Sequence, residues 1–127
     1  MRRRKHHRGK ESELEATSNF DLIVTVIPKG ESEKIVKASK RAGAEGGTII
    51  PGRGTGIHEH KKLFGIAIEP EKEVILTLVP SSRTDEILEA IVEAGELDKP
   101  GTGVGFVLDT KKIVGINHLI DDLQSYS

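Results

Sequence analysis

Ile23-Val24-Thr25-Val26-Ile27-Pro28 returns 52 residues later as Ile75-Leu76-Thr77-Leu78-Val79-Pro80. The match runs without a gap from Leu22–Gly43 onto Val74–Gly95. Ser32 falls on Thr84, Glu33 on Asp85, Ile35 on Ile87, Ala38 on Ala90, and Ala42-Gly43 on Ala94-Gly95. Two copies of this length are too few for a solenoid. Each copy opens on an apolar, largely β-branched run that is continuous rather than alternating, the pattern of a strand inside a sheet. A proline closes it. Ser32 and Thr84 stand where a helix N-cap belongs, each followed by an acid suited to the positive helix end. Ile35, Ser39 and Ala42, then Ile87, Ile91 and Ala94, recur at helical spacing, and Leu88 and Val92 widen the second stripe. Gly43 and Gly95 are placed to follow the helices as C′ residues. A second strand comes next, Thr48–Gly52 in one copy and Gly105–Leu108 in the other.

The order is therefore βαβ–βαβ. On about 90 residues it predicts an α+β, ferredoxin-like βαββαβ sandwich. The first strand of each unit is expected at the centre and the second at an edge, where Pro51 is tolerated. Two short helices cover one face of such a sheet. Aromatic residues are only 3% of the chain and Trp is absent, so the other face is expected to associate with further copies.

The chain has 127 residues, enough for one domain. It contains no cysteine, which excludes a disulfide scaffold, a thiolate metal site and a thiol nucleophile, and fits a cytoplasmic location. No apolar run approaches the roughly 18–20 residues that span a bilayer. Net charge is −1 but unevenly placed. Residues 1–19 carry six Lys/Arg against three Glu and almost nothing apolar, and are expected to form a disordered basic tail. Residues 20–127 form the folded domain, with 13 basic and 17 acidic residues. An acidic body with so few aromatics argues against nucleic acid as a partner.

The two units are joined by Gly54–Lys72, long for a connection in a compact domain, and such loops tend to be functional. It carries His58 and His60, which with Glu59 could chelate a metal if the loop were ordered. Two glycine-rich stretches, Gly52-Arg53-Gly54-Thr55-Gly56 and Lys99-Pro100-Gly101-Thr102-Gly103-Val104-Gly105, stand at the ends of the two units. Glycines let backbone N–H groups approach an anion closely. Neither stretch is a Walker or dinucleotide motif, because the second leads into a strand rather than a helix. Ser81, Ser82 and His118 have no spacing that makes a Ser-His-Asp triad. No carboxylate pair lies in an apolar setting, and Glu93 and Glu96 read as a solvated helix end. An enzyme is not expected.

The chain resembles the PII family of signal-transduction proteins from Leu22 to His118. Leu22–Pro28 is similar to the family's opening strand. Gly47-Thr48-Ile49-Ile50-Pro51-Gly52-Arg53-Gly54-Thr55-Gly56 resembles the second strand running into the base of the T-loop. Glu69-Pro70 resembles the return into the third strand. Lys99-Pro100-Gly101-Thr102-Gly103 resembles the B-loop, Phe106-Val107-Leu108-Asp109 the strand after it, and Ile113–Asn117 the C-loop strand. The resemblance implies a homotrimer that binds an adenine nucleotide (ADP, ATP or AMP) in clefts between subunits. It implies that residues 54–72 act as a T-loop meeting a target protein, often a membrane transporter or an enzyme. Carried over by position, Thr48 and Leu78 would line the adenine pocket. Gly54 and Lys99 join the nucleotide-binding set, and Gly56 and His58 would lie near ribose and phosphate. Gly101, Thr102 and Gly103 would offer backbone N–H groups to the phosphates.

The departures concern charge. Val104 replaces the Lys after the second B-loop glycine, Gly115 and Asn117 replace two Arg, and Ile57 and His58 replace an Arg and a Gln at the T-loop base. Charge-assisted contacts of that kind are worth about 1.5–3 kcal/mol each, so their loss demotes ATP relative to ADP and AMP. Arg53, Lys99 and His118 compensate in part. Whether Mg²⁺ accompanies the nucleotide stays open. The loop has no Tyr, since the single Tyr is Tyr126, which excludes uridylylation of the loop. The first expectation is a non-enzymatic nucleotide sensor. The alternative is a metal-ion or small-anion binding trimer of the same fold using His58 and His60. A small phosphatase or phosphotransferase rests on fold analogy alone.

Overall fold

The computed structural model describes residues 19–56, 61–63 and 66–115. The elements are β1 (Phe20–Pro28), α1 (Ser32–Arg41), β2 (Thr48–Arg53), β3 (Lys61–Leu63), β4 (Ile66–Ile68), β5 (Glu71–Pro80), a 3₁₀ turn (Ser81–Arg83), α2 (Thr84–Gly95) and β6 (Val104–Asp109). The main sheet has the order β2-β5-β1-β6, so the opening strand of each repeat unit is central and the closing strand lies at an edge, as the repeat predicts. β2 runs antiparallel to β5, with Thr48 opposite Leu76 and Arg53 opposite Glu71. The Lys29 N–H donates to the Glu71 carbonyl, which sets the end of β1 beside the start of β5. The chain has the α+β, ferredoxin-like fold.

The chain divides into two compact units, residues 21–108 and residues 1–20 with 109–127. In the second, the amide and hydroxyl of Thr110 both donate to the Phe20 carbonyl, at 3.3 and 2.6 Å. The first holds the core: Ile23, Ile27, Ile75 and Val79 from the central strands, with Ile35, Ile87 and Ile91 from the helices. On β1 and β5 the odd positions from Ile23 to Ile27 and from Ile75 to Val79 are buried, while the even positions between them are half-buried except for Val24, which is buried. The helices thus cover one face of the sheet. Thr25 and Thr77, the same position in each repeat, are fully buried on the covered face. Neither hydroxyl has a hydrogen-bond partner among the described residues.

Both helix starts correct the sequence reading. Ser32 is the first residue of α1, Glu31 is its N-cap, and no side chain caps it locally. A carboxylate from another strand takes that role. Glu73 Oε1 on β5 accepts from the Gly30 N–H at 3.0 Å and the Ser32 N–H at 3.3 Å. The Ser32 hydroxyl and these amides hold the Glu73 carboxyl below the ordinary carboxylate range. Thr84 likewise begins α2 rather than capping it, and its hydroxyl bonds Asp21 Oδ2 at 2.7 Å. At the C-termini, Gly43 follows the Ala42 cap with φ +120°, as expected. Gly95 does not: α2 continues through it, and Glu96 takes the left-handed position with φ 51°. Gly95 packs closely against α1 instead: a Cβ there would lie 3.0 Å from Ile35 Cδ1.

Within the long connection, β3 and β4 form an antiparallel hairpin with Leu63 opposite Ile66. The sequence pattern predicts no strands there, and the hairpin is a difference from that expectation.

These contacts generate two expectations. Glu73→Gln lowers the urea midpoint at neutral pH. The wild-type advantage is fully present above the ordinary Glu pKa and fades as pH falls through the lowered folded-state value, so the two unfolding curves converge in acid. Thr25→Val removes an unpartnered buried hydroxyl at nearly constant volume and raises stability by about 1 kcal/mol, read by thermal unfolding; a loss of stability would show that the hydroxyl is hydrogen-bonded in solution.

Candidate functional site

The ends of the strands decide where the site lies. β1 and β2 both run antiparallel to β5 and so finish at one end of the sheet, where β5 begins. Residues 97–104 return to that same end. Gly103 shows this directly: a Cβ on it would sit 2.5 Å from the Val26 carbonyl oxygen and 2.9 Å from Ile27 Cγ2. Only glycine fits there, and its φ of +138° adds a second reason.

Between these segments lies a cleft of about 750 Å³. One wall is Gly52–Gly56, leaving β2. The other is Leu97–Gly101 with Gly103 and Val104, entering β6. Val26, Lys72 and Val74 lie between, from β1 and β5. Both glycine-rich stretches singled out in the sequence therefore meet in one cavity, of the size that takes a small-molecule ligand. Of the predicted site residues, Gly54, Gly56, Lys99, Gly101 and Gly103 line it. Thr48 and Leu78 do not. Thr48 pairs with Leu76 at the far end of β2, away from the Gly52–Lys72 pair at the cleft. Thr102 is not on the wall either: its hydroxyl turns into the loop and donates to the carbonyls of Glu96 (2.7 Å) and Lys99 (2.8 Å). His58, His60 and His118 lie outside the described residues.

The charged lining is Arg53, Lys72 and Lys99 against Asp98. The Lys99 ammonium is engaged with the Glu96 carboxylate. Hydrogen bonding and charge from Glu96 raise the Lys99 pKa, and Lys99 in turn lowers that of Glu96. Glu96 is thus no idle helix end, a role its spacing in the sequence could not show. Among the described residues no group of three or more His, Asp or Glu could hold a metal ion. No described helix is long and apolar enough to cross a membrane.

The family model of nitrogen regulatory protein P-II matches residues 20–118, most of the chain and both walls of the cleft. The chain belongs to the P-II family. It is a signalling protein of that family. Among solved structures it is similar to a P-II protein of Arabidopsis thaliana crystallised with citrate, at 18% identity and a TM-score of 0.61, over 78% of this chain and 84% of that one. At that identity the likeness is one of fold. A search of curated proteins returns no match. In this P-II chain Lys99, Pro100, Gly101 and Gly103 belong to one wall of the cleft, and Gly54 and Gly56, just after β2, belong to the other.

The two loop glycines should respond differently to alanine. Gly101 has φ +80° with open space around a Cβ, so Gly101→Ala costs only the left-handed strain, about 1–2 kcal/mol. Gly103→Ala adds a clash with the β1 backbone, for a total of about 3 kcal/mol or more. Thermal unfolding of the two variants checks the order, and equal losses would refute the close approach.

Proposed function

We propose that this P-II protein is a non-enzymatic cytoplasmic sensor. As a homotrimer it binds an adenine nucleotide, ADP, ATP or AMP, in the cleft between Gly54–Gly56 and Lys99–Gly103. The folded domain begins at residue 20. The observation that carries the reading is the convergence of two glycine-rich backbones, separated by more than 40 residues of chain, on one cavity with three cations in its lining. Backbone N–H groups in such loops solvate phosphate oxygens without side chains. Val26, Val74 and Leu97 offer apolar surface to a base.

Trimer formation is supported by the surface. Ile49 and Ile50 on β2 and Val104, Phe106 and Leu108 on β6 are all more than 40% exposed. These are the two edge strands, and edges of that composition call for covering. Residues 54–72 are the segment that would report ligand state to a target protein, a membrane transporter among the candidates. The ligand must bind one loop state better than the other to move that equilibrium.

The test is calorimetric titration with ATP, ADP and AMP, with and without Mg²⁺, alongside the mass of the protein in solution. Citrate, the ligand of the Arabidopsis protein, serves as a competing small anion. Micromolar binding of an adenine nucleotide to a species of three chains is the expected result. Binding of citrate but of no nucleotide would replace this reading with a small-anion sensor, and a monomer would overturn its trimer part.

A further inference from the structure

Glu96 is the single non-glycine residue with positive φ among the described residues. An L-residue in that region costs about 1 kcal/mol, and glycine precedes it in the chain without taking the position. The strained residue organises the whole B-loop wall. Its carbonyl accepts from the Lys99 N–H at 3.0 Å and from the Thr102 hydroxyl at 2.7 Å. Its carboxylate pairs with the Lys99 ammonium. Glu96 is not itself part of the cleft lining, whereas Lys99 is. The residue next to Lys99 on the wall, Asp98, carries another negative charge.

Building on the nucleotide reading above, we infer that Glu96 is a specificity-determining residue: as the counterion paired with Lys99 it makes the cleft disfavour ligands with more phosphate charge. A phosphate reaching Lys99 must compete with a carboxylate already there. Each added phosphate therefore gains less from this wall than a free lysine would give. The opposite wall keeps Arg53, exposed at the end of β2, as a phosphate contact. The cleft is then graded for monophosphates and diphosphates over triphosphates through the charge on one residue outside it. The carbonyl bonds that shape the loop belong to the main chain, so the charge can be removed while the loop is kept.

Glu96→Gln tests this on the full chain by titration with AMP, ADP and ATP. The expected result is a gain of about threefold to fivefold in ATP affinity, the scale of an exposed ion pair, with AMP changed by less than about twofold. Adding Lys99→Met to Glu96→Gln removes the gain; a gain that persists in the double variant overturns the assignment to the Glu96–Lys99 pair. Should Glu96→Gln fold poorly, Glu96→Gly makes the same charge change at a backbone position that glycine favours. An unchanged ATP-to-AMP ratio in proteins that bind nucleotide overturns this inference and leaves the nucleotide reading intact. Absence of any nucleotide binding in the wild type overturns both.

Discussion

Alternation along β1 and β5 is the constraint on which the remaining structure depends. Odd residues, Ile23, Thr25 and Ile27 with Ile75, Thr77 and Val79, go under the helices. Even residues must then face away from them. Val26 and Val74 are even positions, and both line the cleft. The cavity therefore opens on the side of the sheet that α1 and α2 leave uncovered. A one-residue slip of either strand would bury the cleft floor and expose the core, so the same packing that stabilises the domain fixes the orientation of its site.

The internal repeat builds two similar halves that do not end alike, and the asymmetry begins at the helix ends. Both helices close with the same pattern: the Ala44 N–H returns to the Ser39 carbonyl, and the Leu97 N–H to the Val92 carbonyl. The second closure falls one residue later in the repeat. Gly43 fills the left-handed position after α1, while Glu96 fills it after α2. That single-residue shift brings a carboxylate to the root of the Leu97–Val104 wall, where the first half has a neutral glycine. The segments beyond the helices differ as well. The first half runs straight into β2, and the second makes a bonded loop through Lys99 and Thr102 before β6.

The architecture was legible because it rests on local pattern: two copies of one apolar run, a helical stripe after each, and a proline in an edge strand. The meeting of the two glycine-rich stretches was legible once the strand order followed from the repeat. Other features rest on contacts distant in sequence, which leave no period to read. Glu73 caps α1 from 41 residues beyond Ser32, so a search for a local cap settles on Ser32 instead. The β3–β4 hairpin has strands of three residues, too short for alternation to register. Glu96 carries a role that depends on its backbone conformation, and φ is not written in residue type. Thr48, which the family resemblance sets beside adenine, stands at the far end of the β2–β5 ladder from this cleft, and Leu78 does not line the cleft either.

The balance of charge gives the strongest physical reason to treat this P-II chain as its own case. The sequence lacks cations at positions 57, 104, 115 and 117, where the family resemblance sets Arg or Lys. One of the cations that remain in the lining is paired with an acid. Attraction for a polyphosphate grows with every unpaired cation, whereas contacts to backbone N–H groups and to apolar walls do not depend on how many phosphates follow. On the nucleotide reading, a cleft that keeps its glycines and valines with fewer cations than the family resemblance sets would hold the near part of a nucleotide better than the far part. Selectivity of that kind needs no new pocket, only the subtraction of charge from a backbone shape that is kept.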